Sequence, residues 1–97
     1  MTPAETDRVL RAVALWFFTT PAQIVGHQRG VEITRAKYAV ALVMRRRGAL
    51  HKQIAAALNY ADESSTRRAV RFATRWHRDN VDRFRDACDL IEGEITT

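Results

Sequence analysis

Apolar and small side chains that recur every three or four residues are the feature that most restricts what this chain can fold into. One such run consists of Thr66, Ala69, Val70, Ala73 and Trp76. This spacing places the side chains on one face of an α-helix. No segment of the sequence alternates apolar and polar residues in the way that a half-buried strand does. The sequence therefore predicts an all-α fold, in one compact helical domain.

Helix start and stop signals divide the chain into segments. Thr6 is a predicted N-cap with Asp7 in the first turn, and Thr20 followed by Pro21 is a second start signal. Gly26 is a stop signal. The predicted helices cover about residues 6–18, 22–25, 33 or 34 to 46, 51–58 and 63–91, with Asn80 either breaking the last of them or lying within it. Residues 93–97 are expected to fray.

The length of 97 residues is enough for one small domain with a modest core. We expect a single domain over residues 1–97 with a core over about residues 6–92, and the sharp change of charge near Asp86 leaves open that the chain continues in a longer parent protein. Both tryptophans are expected in the core. A core role is preferred over a dimer seam for the stripe of Val81, Phe84, Cys88 and Ile91.

Basic residues are concentrated in the middle of the chain. Residues 28–85 hold fourteen basic and five acidic side chains, whereas the last twelve residues hold four acidic side chains and no basic one. Most of the basic residues are arginines, whose planar fork matches phosphates and guanine edges. A basic middle of this kind predicts a polyanionic partner, with solubility alone as the alternative interpretation.

A predicted helix of eight residues, a three-residue turn and a longer helix follow one another from His51 onwards. This order is typical of a helix-turn-helix, whose second helix enters the major groove of duplex DNA. Short polar side chains at the start of that helix allow close approach, and arginines beyond them reach bases or phosphates. The predicted base contacts of this helix are Asp62, Glu63, Ser64, Ser65 and Arg67, and its predicted phosphate contacts are Arg68 and Arg71.

Six segments in a fixed order suggest a family. They are the aromatic helix end at residues 13–17, the pair Ile24 and Val25, the loop with Arg29, the basic helix start at residues 35–42, the run Gln-Ile-Ala-Ala-Ala-Leu at residues 53–58, and Asp-Glu-Ser-Ser-Thr-Arg-Arg-Ala at residues 62–69. From Val9 to Trp76 the chain resembles the C-terminal DNA-binding domain (domain IV) of DnaA, the bacterial replication initiator. The last segment lies on that family's Asp-His-Thr-Thr-Val-x-His-Ala signature.

The resemblance implies roles for individual positions. Asp62, Ser64 and Ser65 occupy signature positions that read or frame bases in the major groove, and Arg29 occupies the basic-loop position that reaches into the minor groove. The positions expected to contact phosphates are Arg35, Lys37, Lys52 and Arg68.

The chain departs from the family pattern at several positions. Glu63 replaces a histidine, Thr66 replaces a core valine, and Arg67 replaces a residue that is commonly apolar. A carboxylate accepts a hydrogen bond from cytosine but does not make the same contact to thymine. The target sequence is therefore expected to differ from that of the family. The sequence has no Gly-Lys-Ser/Thr phosphate loop, so no ATPase is expected. The chain is instead expected to be a transcription regulator, phage-like or of the gene-transfer type.

The residue pattern holds no paired carboxylates, triad or metal-ligand spacing, so neither an enzyme nor a cofactor is expected. The sequence has one cysteine, and we find no leader segment and no long apolar run in it. These features favour a cytoplasmic protein without a membrane partner. The alternative function is a protein-interaction module that docks on the transcription machinery, such as RNA polymerase or another regulator. RNA binding is a third hypothesis.

Overall fold

The computed structural model describes residues 1–96, which form six α-helices and one short 3-10 helix and contain no β-strand. The all-α prediction is therefore confirmed. The helices are α1 (Pro3–Trp16), α2 (Pro21–Val25), α3 (Val31–Arg46), α4 (His51–Leu58), α5 (Glu63–Asp79) and α6 (Phe84–Thr96), and the 3-10 helix (Val81–Arg83) precedes α6.

The first helix begins at Pro3, three residues before the predicted start at about residue 6. Thr2 is the N-cap: its hydroxyl accepts a hydrogen bond from the Glu5 N–H, and the Glu5 carboxylate accepts one from the Thr2 N–H. The prediction of Thr6 as the cap is therefore wrong. The second start signal is confirmed, because Thr20 and Gln23 form the same reciprocal pair at the start of α2.

The last helix reaches Thr96, so the prediction that the chain frays from Gly93 onwards is wrong for the described residues. Ile95 is buried in the core. The Arg8 guanidinium on α1 donates a hydrogen bond of 2.8 Å to the Ile95 carbonyl. Burial and this bond together hold the final turn of α6 against α1.

The core is built around α3, which is buried nearly all round from Ala36 to Met44. This helix packs against α1, α2, α4, α5 and α6. An aromatic cluster connects it to two of these, because the Trp76 ring lies 4.9 Å from the Tyr38 centroid and 5.5 Å from the Phe84 centroid. A central helix of this kind fixes the orientation of the helices around it.

The predicted core residues divide into two groups. Phe84, Cys88 and Ile91 are fully buried, which confirms the core interpretation for them, and burial raises the pKa of the Cys88 thiol to about 12. Val81 is exposed, so it does not belong to that stripe. Trp16 is also exposed over 40 % of its surface, which makes the core prediction wrong for this tryptophan.

No helix among residues 1–96 is both long enough and apolar enough to cross a lipid bilayer.

Candidate nucleic-acid interface

The connection between α4 and α5 is short and closed by backbone hydrogen bonds. Asn59 adopts a left-handed conformation with φ of 57°, which ends α4. The next N–H, that of Tyr60, donates to the Ala55 carbonyl at 2.9 Å. Asparagine tolerates this conformation better than other residues with a side chain. The chain therefore reverses within four residues and enters α5 at Asp62.

Asp62 fixes the first turn of α5, as predicted for the N-cap. One of its carboxylate oxygens accepts hydrogen bonds from the Ser65 N–H at 3.0 Å and from the Ser64 hydroxyl at 2.8 Å. The bond from the Ser65 N–H, and then that from the Ser64 hydroxyl, lower the pKa of Asp62. All residues from Asp62 to Ser65 are exposed. The structure thus presents an ordered, polar helix start to solvent.

The outer face of α5 is a continuous arginine surface. All its members are exposed, and from Arg68 onwards they are spaced three or four residues apart: Arg67, Arg68, Arg71, Arg75 and Arg78. The inner face of the same helix buries Thr66, Ala69 and Ala73, which confirms that part of the predicted stripe. Val70 and Trp76 are half-buried. Sequence reasoning did not assign Arg75 and Arg78 to the site, although the same spacing places them there.

Few carboxylates compensate the arginine surface. Arg67 pairs with Glu63 at 3.2 Å, one turn earlier on the same helix, and Arg78 pairs with Asp79. Within residues 1–96, Arg68 and Arg71 have no hydrogen bond or ion pair. Arg75 lies 5.7 Å above the ring centroid of Phe72. These guanidinium groups are therefore free to bind an external anion.

The acidic side chains of α6 are used inside the molecule. Asp89 and Glu92 both pair with Arg46 at the end of α3, at 3.2 and 3.3 Å, and Asp86 pairs with Arg83. The acidic end of the sequence is thus part of the fold and neutralises basic residues of other elements. On α5, by contrast, Arg68, Arg71 and Arg75 have no carboxylate partner among residues 1–96.

The loop with Arg29 is tied to the turn before α5 by Lys37. The Lys37 ammonium donates to the Gly26 carbonyl at 3.0 Å and lies 5.9 Å from the centroid of the Tyr60 ring. Burial lowers the pKa of Lys37. At the other end of the loop, Gly30 shares a surface hollow with Trp76 near the end of α5. The loop therefore runs beside α5 with Arg29 exposed upon it.

Gly30 connects this loop to α3 with φ of +148°, a conformation that side-chain-bearing residues rarely adopt. Glycine at this position allows the chain to turn directly from the exposed Arg29 into the first residue of α3.

Two predicted phosphate contacts differ in their surroundings. Lys52 is exposed on α4 and has no partner among residues 1–96. Arg35 instead donates to the Asp82 carbonyl at 2.8 Å and lies 5.7 Å from the Phe17 ring centroid. Its guanidinium holds the connection before α6, a role that local sequence cannot reveal because Asp82 is 47 positions away.

Comparison of the chain with protein-family models, curated proteins and solved structures found no match.

Proposed function

We propose that the chain is a sequence-specific binding domain for duplex DNA and acts as a transcription regulator. The observation that carries the proposal is the arginine surface of α5, in which Arg68 and Arg71 have no partner among residues 1–96, behind an ordered, exposed helix start. In this proposal α4 and α5 are a helix-turn-helix, and the left-handed Asn59 takes the place of the glycine that such turns often contain.

The dimensions of α5 suit the major groove. Its 17 residues span about 25 Å at about 1.5 Å per residue. The groove, about 12 Å wide, admits one helix. Ser64, Ser65 and the Glu63–Arg67 pair then face the base edges, while Arg68 and Arg71 reach the phosphates. Packing of the inner face against α3 and α4 keeps the helix fixed during the approach.

The Glu63–Arg67 pair gives the site both an acceptor and a donor for bases. Its N···O distance of 3.2 Å involves one terminal nitrogen of the guanidinium, which leaves other N–H groups for guanine. The carboxylate accepts from the amino group of cytosine. Arg29, on the loop beside α5, supplies the minor-groove contact of this proposal. The DnaA-like motif residues at positions 62–69 support it as well.

The test is a selection of bound duplexes from random sequence, followed by titrations at several salt concentrations. An Arg68→Ala/Arg71→Ala variant should bind more weakly, with the slope of log affinity against log salt smaller by about 2, since two phosphate contacts are lost. A Ser64→Ala/Ser65→Ala variant should lose discrimination between the selected site and random duplex, because base contacts specify the sequence.

A matched control separates location from total charge. The Arg11→Ala/Arg85→Ala variant removes the same two charges from α1 and α6, where both side chains are exposed, and should retain the affinity. Equal loss in both double variants would show that only net charge matters. The absence of binding to any duplex at low salt would refute the proposal and favour the docking module as the alternative.

A further inference from the structure

Four large apolar side chains are exposed together where α1 and α6 meet. Phe18 is 98 % exposed, Leu15 74 %, Leu90 55 % and Trp16 40 %. They are contiguous, because Trp16 lines two adjoining hollows, one with Leu15 and Phe18 and the other with Leu90. These four residues are called the apolar patch below. None of them belongs to the arginine surface of α5.

The backbone at Phe18 is unfavourable for a phenylalanine. The helix end is a Schellman motif, in which the Thr19 N–H bonds to the Ala14 carbonyl at 2.9 Å and the Phe18 N–H bonds to the Leu15 carbonyl at 3.3 Å. Phe18 occupies the left-handed position of this motif with φ of 56°, where glycine is strongly preferred. Folding of one chain gains nothing from the ring, which contacts almost only solvent.

The apolar patch has about the apolar area, and a hollow of the size, that one partner of a dimer interface needs. Its exposed side chains offer on the order of 450 Å² of apolar surface. A standard interface takes about 800 Å² from each partner, of which about two thirds is apolar in homodimers. The hollow between Trp16 and Leu90 measures about 350 Å³. A cavity of about 150 Å³ already holds a benzene ring, so this hollow can receive a phenyl group.

The charge around the apolar patch permits two copies to approach. The charged residues that line its two hollows are two cations and three anions, which leaves the net charge there small: Arg35, Arg83, Asp82, Asp86 and Glu94. The α5 face, by contrast, would repel a second copy through its arginines. Because Trp16 lines both the hollow with Phe18 and the hollow with Leu90, a two-fold axis near Trp16 would place Phe18 of each copy opposite the Leu90 hollow of the other.

We propose that the apolar patch is a two-fold interface between copies of this chain, in which Phe18 of each copy enters the hollow beside Trp16 and Leu90 of the other. Such an interface is self-complementary, as a closed dimer requires. The proposal does not depend on DNA binding, and its test contains no DNA.

The experiment is sedimentation equilibrium of the full chain from about 1 µM to about 1 mM, a range that detects dissociation constants from micromolar to millimolar. We expect a monomer–dimer equilibrium that a Phe18→Gly variant weakens at least about 30-fold, the loss of one hot-spot side chain. Glycine suits the left-handed position, so this variant should stay folded, which its thermal melt checks. A Val31→Thr variant, changed at an exposed apolar residue outside the patch, should dimerise normally.

Three results would overturn the proposal. The first is a monomer at every concentration, which would leave the patch for a different protein. The second is a dimer that Phe18→Gly leaves intact, and the third is equal dissociation by Val31→Thr.

Discussion

Thr66 is the polar side chain whose replacement should most clearly stabilise the fold. It is fully buried on the inner face of α5, and its hydroxyl oxygen has no hydrogen-bond partner among the described residues. A Thr66→Val substitution keeps the shape of the side chain and exchanges the hydroxyl for a methyl group. We expect the free energy of unfolding to rise.

The expected gain has two parts. A buried hydroxyl without a partner costs about 1–3 kcal/mol. The added methyl group contributes up to about 0.8 kcal/mol from burial, while the helix propensities of the two residues are nearly equal. A gain of about 1.5 kcal/mol is a cautious sum, and it raises the Tm of a domain of this size by about 6 °C or more.

The assay is thermal and urea unfolding of the two chains, followed by circular dichroism. The matched control is Thr66→Ser, which keeps the hydroxyl and removes the methyl group, and it should destabilise the chain by about 1 kcal/mol. A decrease in stability on Thr66→Val would refute the reasoning. It would show that the hydroxyl has a partner in solution, for which the carbonyl one turn earlier is the natural candidate.

Three further predictions rest on single residues. Phe18→Gly should raise the unfolding free energy of the dilute monomer by about 0.5–1 kcal/mol, because it relieves the left-handed backbone and removes no buried surface. The control Phe18→Ala should leave the unfolding free energy unchanged. A lower unfolding free energy of Phe18→Gly in chemical denaturation would contradict this prediction. The folded-state pKa of Asp62 is depressed, so its ionised cap stabilises α5 above the ordinary value of 3.8 and is lost as the pH falls through the lower folded value. The Tm difference between the parent chain and Asp62→Asn should therefore narrow on acidification, and a constant difference in melts from about pH 6 to about pH 2 would count against it. Asn80→Gly should lower the unfolding free energy, measured in urea, by about 1 kcal/mol, since the Asn80 side-chain oxygen accepts from the N–H groups of Arg85 and Asp86. The control Asn59→Gly should lower it by less than about 0.5 kcal/mol. Equal losses would argue against a capping role of the Asn80 side chain at α6.

Local signals predicted the parts of the fold that local physics determines. The α4 range of residues 51–58 and the caps at Thr20 and Asp62 agree with the structure, because a cap satisfies N–H groups two or three residues away. At the first helix Thr6 is the predicted cap, whereas the structure has Thr2 in that role. Thr2 is the cap since it precedes a proline and has a glutamate three residues on, a pattern that the sequence also shows.

Other features depend on contacts between distant residues. Periodicity shows that side chains share a helix face but not whether another helix covers that face, which is why Trp16 was expected in the core and is exposed. The same limit applies to charge. The sequence identifies Arg35 and Arg46 as basic. Only the fold shows that Arg35 donates to the Asp82 carbonyl and that Arg46 pairs with carboxylates of α6.

The two proposals address a common requirement of DNA recognition. A single recognition helix reads base edges with about three or four side chains, which specifies a site that recurs about every few hundred base pairs. A regulator must distinguish its site from about a million or more competitors. Two copies joined through the apolar patch would read two half-sites at once, and the second contact would be made at high effective concentration. A palindromic motif in the selection experiment is therefore the result expected if both proposals hold. An asymmetric motif bound by a chain that dimerises in solution would show that the dimer interface serves another purpose.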